Sequence, residues 1–142
     1  MPQQTLAPAH AVPERSSHFI HALLSSVEGI RSVWTIGHAP GASADDGGPL
    51  RLLAFASAEV LERLRKCDAV HSAEVELLVV VDGDSFASAW GPTMWSGSLA
   101  RWAWQRTAPD EAHYDESLWA GRGAHGGTVV RVRRKAFLVW RA

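Results

Sequence analysis

The run Val75-Glu76-Leu77-Leu78-Val79-Val80-Val81 constrains the fold more than any other stretch of the chain. A β-branched run this apolar has no side suited to water. It reads as a strand covered on both faces, near the middle of a sheet. Asp82-Gly83-Asp84 follows at once and supplies the turn chemistry that ends it. Whatever else the chain builds must provide two apolar layers, one for each side of this strand.

The flanking segments supply candidates for those layers. Phe19, Ile20, Leu23, Leu24 and Val27 recur at helical spacing between Glu14 and Glu28, with Gly29 as a stop. Arg31–Gly37 and Leu50–Ala56 read as strands, joined by a loop of small residues and Asp over 38–48. Ser57 is placed to cap a helix whose apolar face is Val60, Leu61 and Leu64. Further on the pattern is less regular. Gly97–Arg106, with Leu99, Trp102 and Trp104, fits strand or helix, and if a strand its two Trp rings share a face. Glu111–Trp119 is expected as a short helix, and Thr128–Trp140 as a terminal strand or strand pair. Residues 1–13, rich in Pro, Ala and Gln, read as a flexible lead-in to a single domain over 14–142. Its core spans about 15–90, and 91–142 forms a Trp-rich extension. The order of elements predicts an α/β or α+β fold, a small mixed sheet flanked by helices.

Composition narrows the function classes. With 142 residues and a formal net charge of −1, nothing marks the chain for nucleic acid or an anionic membrane. A single cysteine, Cys67, excludes an internal disulfide and a Cys-rich metal site. Together with the lack of a basic-then-apolar leader and of a membrane-length apolar run, it predicts a cytoplasmic protein. The cluster Arg131, Arg133, Arg134, Lys135 near Phe137 and Trp140 suits a nucleic-acid face in composition. The balance of 15 acidic and 14 basic residues favours a solvated edge strand instead. His18 and His21 share a helix face but lack a third ligand for zinc.

The segment Val33–Phe55, with Glu76 downstream, resembles the polymerase-β-like nucleotidyltransferases, the minimal domains of that fold in particular. The family ends its first strand in Gly-Ser and opens the second with Asp-x-Asp. Here Gly37 stands at the Gly, His38 at the Ser, and Pro49 and Arg51 at the two Asp positions. Glu76 matches the third carboxylate, on a later strand. The resemblance covers roughly residues 15–90 and implies nucleotidyl transfer from a nucleoside triphosphate. In that family, carboxylates hold Mg²⁺, and the metal bridges the reacting oxygens.

Residue chemistry at these positions points away from turnover. Alternate residues of a strand share a face, so Asp-x-Asp presents two carboxylates where this chain presents Pro49 and Arg51. Two like unit charges about 4 Å apart cost about 4 kcal/mol at an effective dielectric near 20, and a divalent ion roughly doubles that. Arg51 therefore repels the metal, and either pairs with Glu76 or binds phosphate. Gly37 and His38 complete the candidate nucleotide or phosphate site, with His38 and Glu76 the candidates for chemistry. A relocated Mg²⁺ site would draw on Asp46, Glu76 and Asp84, against the plainer reading of solvated loop acids. The expectation is a pseudoenzyme that keeps the fold and some nucleotide or phosphate binding. Its alternatives are an active transferase with relocated acids, or a non-catalytic protein that engages a helical partner, as in the toxin–antitoxin pairs the resemblance implies.

Overall fold

Both apolar layers demanded by Val75–Val81 exist, but only one of them is helical. The structure, a computed structural model, describes residues 14–36, 50–91, 94–120 and 128–142. In chain order these form α1 (Glu14–Ser26), β1 (Ser32–Ile36), β2 (Leu50–Phe55), α2 (Ala58–Lys66), β3 (Val75–Val80), β4 (Ser85–Ser88), β5 (Ser96–Ser98), β6 (Gln105–Ala108), β7 (Glu111–Ala120) and β8 (Thr128–Arg141). A short 3₁₀ turn, Asp68–Val70, follows α2. All eight strands lie in one sheet of order β5-β4-β3-β2-β1-β8-β7-β6. The pair β2–β3 is parallel and every other pair antiparallel.

α1 and α2 cover one face. Ile20, Leu23 and Val27 of α1 and Val60, Leu61 and Leu64 of α2 pack on Val33, Leu52, Ala54, Leu77 and Val79. Ser57 caps α2 as its sequence predicts, its Oγ accepting from the Val60 N–H at 3.3 Å. Gly29 takes φ +100 beyond α1, and a Cβ there would sit 2.9 Å from Val60 Cγ2. Trp90 closes this layer, stacked on His71 at 4.9 Å with its indole N–H donating to the carbonyls of Ser72 and Val75.

The other face curls round a second, aromatic core made of Trp34, Phe86, Tyr114 and their neighbours, against which Phe55, Trp95, Trp102 and Trp104 pack. The curl is tight. On a flat sheet the steps from β5 to β7 in the strand order span roughly 29 Å at ~4.8 Å each. Here one residue covers the distance: the Trp102 N–H donates to Ser98 O (3.3 Å), and Trp102 O accepts from the Asp115 N–H (2.6 Å). Its ring lies between Phe86 (4.6 Å) and Tyr114 (4.7 Å).

This overturns the expected α/β nucleotidyltransferase fold. The chain is mostly β, a curled eight-stranded half-barrel with two short helices on one face, not a small sheet flanked by helices. Two causes are visible. Glu111–Ala120 is the strand β7 rather than a helix, its residues Ala112 and Tyr114 buried in the aromatic core. β8 pairs directly with β1, so the C-terminal strands extend the sheet of the first half instead of layering on it. Gly97–Arg106 divides into β5, a turn in which Ala103 takes φ +53, and β6.

Gly97 lies under the Phe86 ring, where a Cβ would stand 2.7 Å from Phe86 Cζ. Gly97→Ala is expected to displace that ring and cost about 1–3 kcal/mol by overpacking. Urea unfolding with an unchanged m-value checks it; a midpoint equal to wild type would show that the ring has room to give.

Candidate functional site

Polar side chains on the concave face gather at one end, where β2 and β3 begin. Successive residues of a strand alternate faces, so Arg51 and Glu76 point into the half-barrel with Leu53 and Leu78, while Leu50, Leu52, Val75 and Leu77 face the helices. The parallel register sets Arg51 beside Glu76. The Arg51 Nε–H donates to Glu76 Oε1 at 2.7 Å, and Nη1 donates to Glu116 of β7 at 3.1 Å. Arg134 of β8 brings its Nε within 3.0 Å of Glu116 Oε1. Trp95, at the entry to β5, donates its indole N–H to Glu76 Oε2 at 3.0 Å. A continuous chain of charge-assisted contacts thus runs Trp95–Glu76–Arg51–Glu116–Arg134 across the mouth.

Burial pulls the Arg51 pKa down. Hydrogen bonding and Coulomb attraction, those of Glu116 ahead of those of Glu76, outweigh it and hold the guanidinium above its ordinary value. Among the described residues of the mouth, two carboxylates balance two guanidinium groups.

Among the described residues, the other sequence-derived candidates do not join this network. Gly37, His38 and Asp46, with Pro49, lie outside the described residues. Asp84 lies past the far end of β3 from Glu76, on the order of 15 Å away along the strand. There it organises a turn: its Oδ1 accepts from the Ala100 N–H (2.9 Å) and its carbonyl from the Leu99 N–H (2.8 Å). Asp82 caps the same corner, and the N–H groups of Ser85 and then Asp84 hold its carboxyl below the usual range. Among the described residues no three of His, Cys, Asp and Glu gather as a metal site would require. His18 and His21 are exposed on α1. Glu116, Arg134 and Trp95 escaped sequence reasoning as members of the Arg51–Glu76 network, because only the curl of the sheet brings β7 and β5 to β2 and β3.

The outer face of β7 and β8 carries a second, open ladder of charge. Asp115 meets Arg133 at 3.1 Å and Arg131 at 3.6 Å, and Glu111 meets Lys135 at 3.4 Å. The hydrogen bond from Arg133 holds the Asp115 carboxyl below its ordinary range. Between β5 and β7 a cavity of about 260 Å³ opens, lined by Trp95, Ser96, Ser98, Trp102, Glu116 and Ser117 among others.

Arg51→Met is expected to destabilise by roughly 2–4 kcal/mol. It leaves Glu76 without a cation and Glu116 with Arg134 alone, at the lower part of the cost of breaking a buried pair because both carboxylates keep some water. Adding Glu76→Gln should recover part of the loss, whereas adding Glu116→Gln should not, because it takes the carboxylate away from Arg134; thermal unfolding of the single and the two double variants checks both. The Asp115 shift has a definite sign. A depressed folded pKa adds stability above the ordinary Asp value of about 4, lost as pH falls through the folded value. An NMR titration should place Asp115 below an unfolded-chain Asp, and Arg133→Ala should move it up. An unmoved midpoint would show that the contact does not hold in solution.

Comparison with known proteins gives no match: no family model, no curated protein and no solved structure is significantly similar to this chain.

Proposed function

We propose that the chain is a non-catalytic protein-interaction module that engages its partner through the ribbon formed by β7 and β8. One observation carries this reading: Val129 and Val130, neighbours and therefore on opposite faces of β8, are 55% and 38% exposed. Most of the large apolar side chains among the described residues are covered. From Tyr114↔Arg134 to Ala120↔Thr128 the two strands pair only with each other, since β6 stops at His113 and β1 at Phe137 among the described residues. A two-stranded ribbon is marginal by itself in water, and apolar groups on both of its faces are most simply explained by a surface that covers them.

Phosphate or nucleotide binding at Arg51 has less support. Its guanidinium already serves two carboxylates, and an anion would have to displace both while the aromatic core fills the concave face behind it. No helix among the described residues is long and apolar enough to cross a membrane.

A photo-reactive phenylalanine analogue in place of Val129, with one in place of exposed Glu59 on α2 as control, tests the reading in cells that make the protein. The expected outcome is a discrete protein adduct at 129, absent at 59 and competed by wild type but not by Val129→Asp/Val130→Asp. Equal labelling at both positions, or none at 129, would overturn it.

A further inference from the structure

Trp102 stands between two open strand edges. Its N–H closes a turn onto the carbonyl of Ser98 in β5 and its carbonyl accepts from the Asp115 N–H of β7, so the turn after β5 ties the two edges together. Two strand spacings, roughly 9.6 Å, are what a strand inserted beside this crossbar requires. Beyond it, toward Trp95 and Glu116, the seam is the cavity of about 260 Å³. That volume lies under the roughly 300–1,000 Å³ of small-molecule pockets, and the shape is a slot between two strand edges.

Backbone alternation shows what the slot offers. In β5 and the residues flanking it, the positions bonded to the β4 side are Trp95, Gly97 and Leu99: Trp95 O accepts from Ser88 N–H, Gly97 stands opposite Phe86, and the Leu99 N–H donates to Asp84 O. Ser96 and Ser98 therefore turn their main-chain groups into the seam, as the Ser98–Trp102 bond shows. In β7, Asp115 points its N–H into the seam, so Ser117 does likewise. Both edges are antiparallel to their inner neighbours, β4 and β8, and open toward each other.

Side chains select the occupant. Trp95, Trp102 and Glu116 face inward, and Glu116 is already matched by Arg51 and Arg134. The outer rim holds Arg101, Arg131 and Arg133 against Asp115, an excess of positive charge, with Arg131 Nη2 donating to the Arg101 carbonyl at 3.2 Å. Resting on the protein-interaction reading above, we propose that this seam takes an extended segment of the partner protein as a ninth strand, with an apolar side chain inward on Trp95 and Trp102 and acidic side chains outward beside Arg101 and Arg131. Main-chain hydrogen bonds to two edges at once provide the binding, and the alternating side chains provide the selection.

The test is a titration of the ¹⁵N-labelled full chain with a blocked eight-residue peptide alternating glutamate and valine around a central phenylalanine. The expected result is saturable shifts of the Ser96, Ser98 and Ser117 amides and slowed hydrogen exchange there. Binding should fall at least tenfold when alternate peptide nitrogens are methylated, and at least fivefold with lysine in place of glutamate. Ser117→Pro, which removes a seam N–H without removing a β7–β8 bond, should weaken the wild-type peptide similarly. No saturable shift at these amides at millimolar peptide, or equal binding by the methylated peptide, overturns the proposal. If the adduct at position 129 persists while the peptide fails, only the seam assignment falls. If both fail, the interaction reading falls with it.

Discussion

The half-barrel depends on what Trp102 does twice, once with its peptide and once with its ring. The peptide ties the free edge of β5 to β7, and the indole fills the space between Phe86 and Tyr114. Neither contact exists on a flat sheet, and each makes the other geometrically possible. The ring brings dispersion and area burial, while the backbone bonds set direction. Trp34, Trp104 and Phe55 then pack as a continuous aromatic layer, Trp104 meeting Trp34 edge-on at 5.4 Å and Arg106 lying 5.7 Å over the Trp34 ring. A sheet with helices on one face usually buries its other face against a further layer. This chain buries that face against itself.

The same curl accounts for the charged mouth. An Arg–Glu pair on neighbouring parallel strands is a local matter, but Arg51 also reaches Glu116 on β7, with β1 and β8 between them in the sheet. Closing the concave face forces inward-pointing side chains from distant strands together, and at the open end those side chains can keep part of their hydration. Charges are admissible there and not one layer deeper, where Leu53, Leu78 and Tyr114 take over. The alternation of strands thus places a polar ring on an apolar plug, with Trp95 spanning both through its ring and its N–H.

How far the sequence disclosed this depends on whether the signal was local. Val75–Val81 was legible as a buried central strand because both its faces are apolar, and α1, α2, β1 and β2 were legible from periodicity and the Ser57 cap. β7 was not. In Ala112-His113-Tyr114-Asp115-Glu116 the inward position after Tyr114 is a carboxylate, which breaks the apolar alternation that marks a strand. Glu116 is tolerated inward only because Arg51 and Arg134 arrive from elsewhere in the sheet, which no window of sequence contains. Trp102 and Trp104 share one core as the strand reading required, but from a turn with Ala103 at positive φ, a conformation an alanine does not advertise. The family resemblance rested on Val33–Phe55 and Glu76, where strand–loop–strand spacing is common to many sheets. Arg51 was the informative residue in it, and its chemistry pointed to an ion pair rather than to a metal.

Incomplete closure has its own physical logic. An open strand edge invites pairing with other chains, and proteins blunt such edges by making them short, charged or recessed. β5 has three residues and β6 four. β6 pairs at the start of β7, while β5 stops against the Trp102 crossbar, so the two short strands never meet. The edges left between them face each other across a slot instead of facing solvent side by side. Another sheet cannot approach either edge flat, because the opposite wall stands in the way, whereas a single extended segment passes between them. The recess that protects the seam from aggregation is therefore the same feature that restricts it to one kind of occupant.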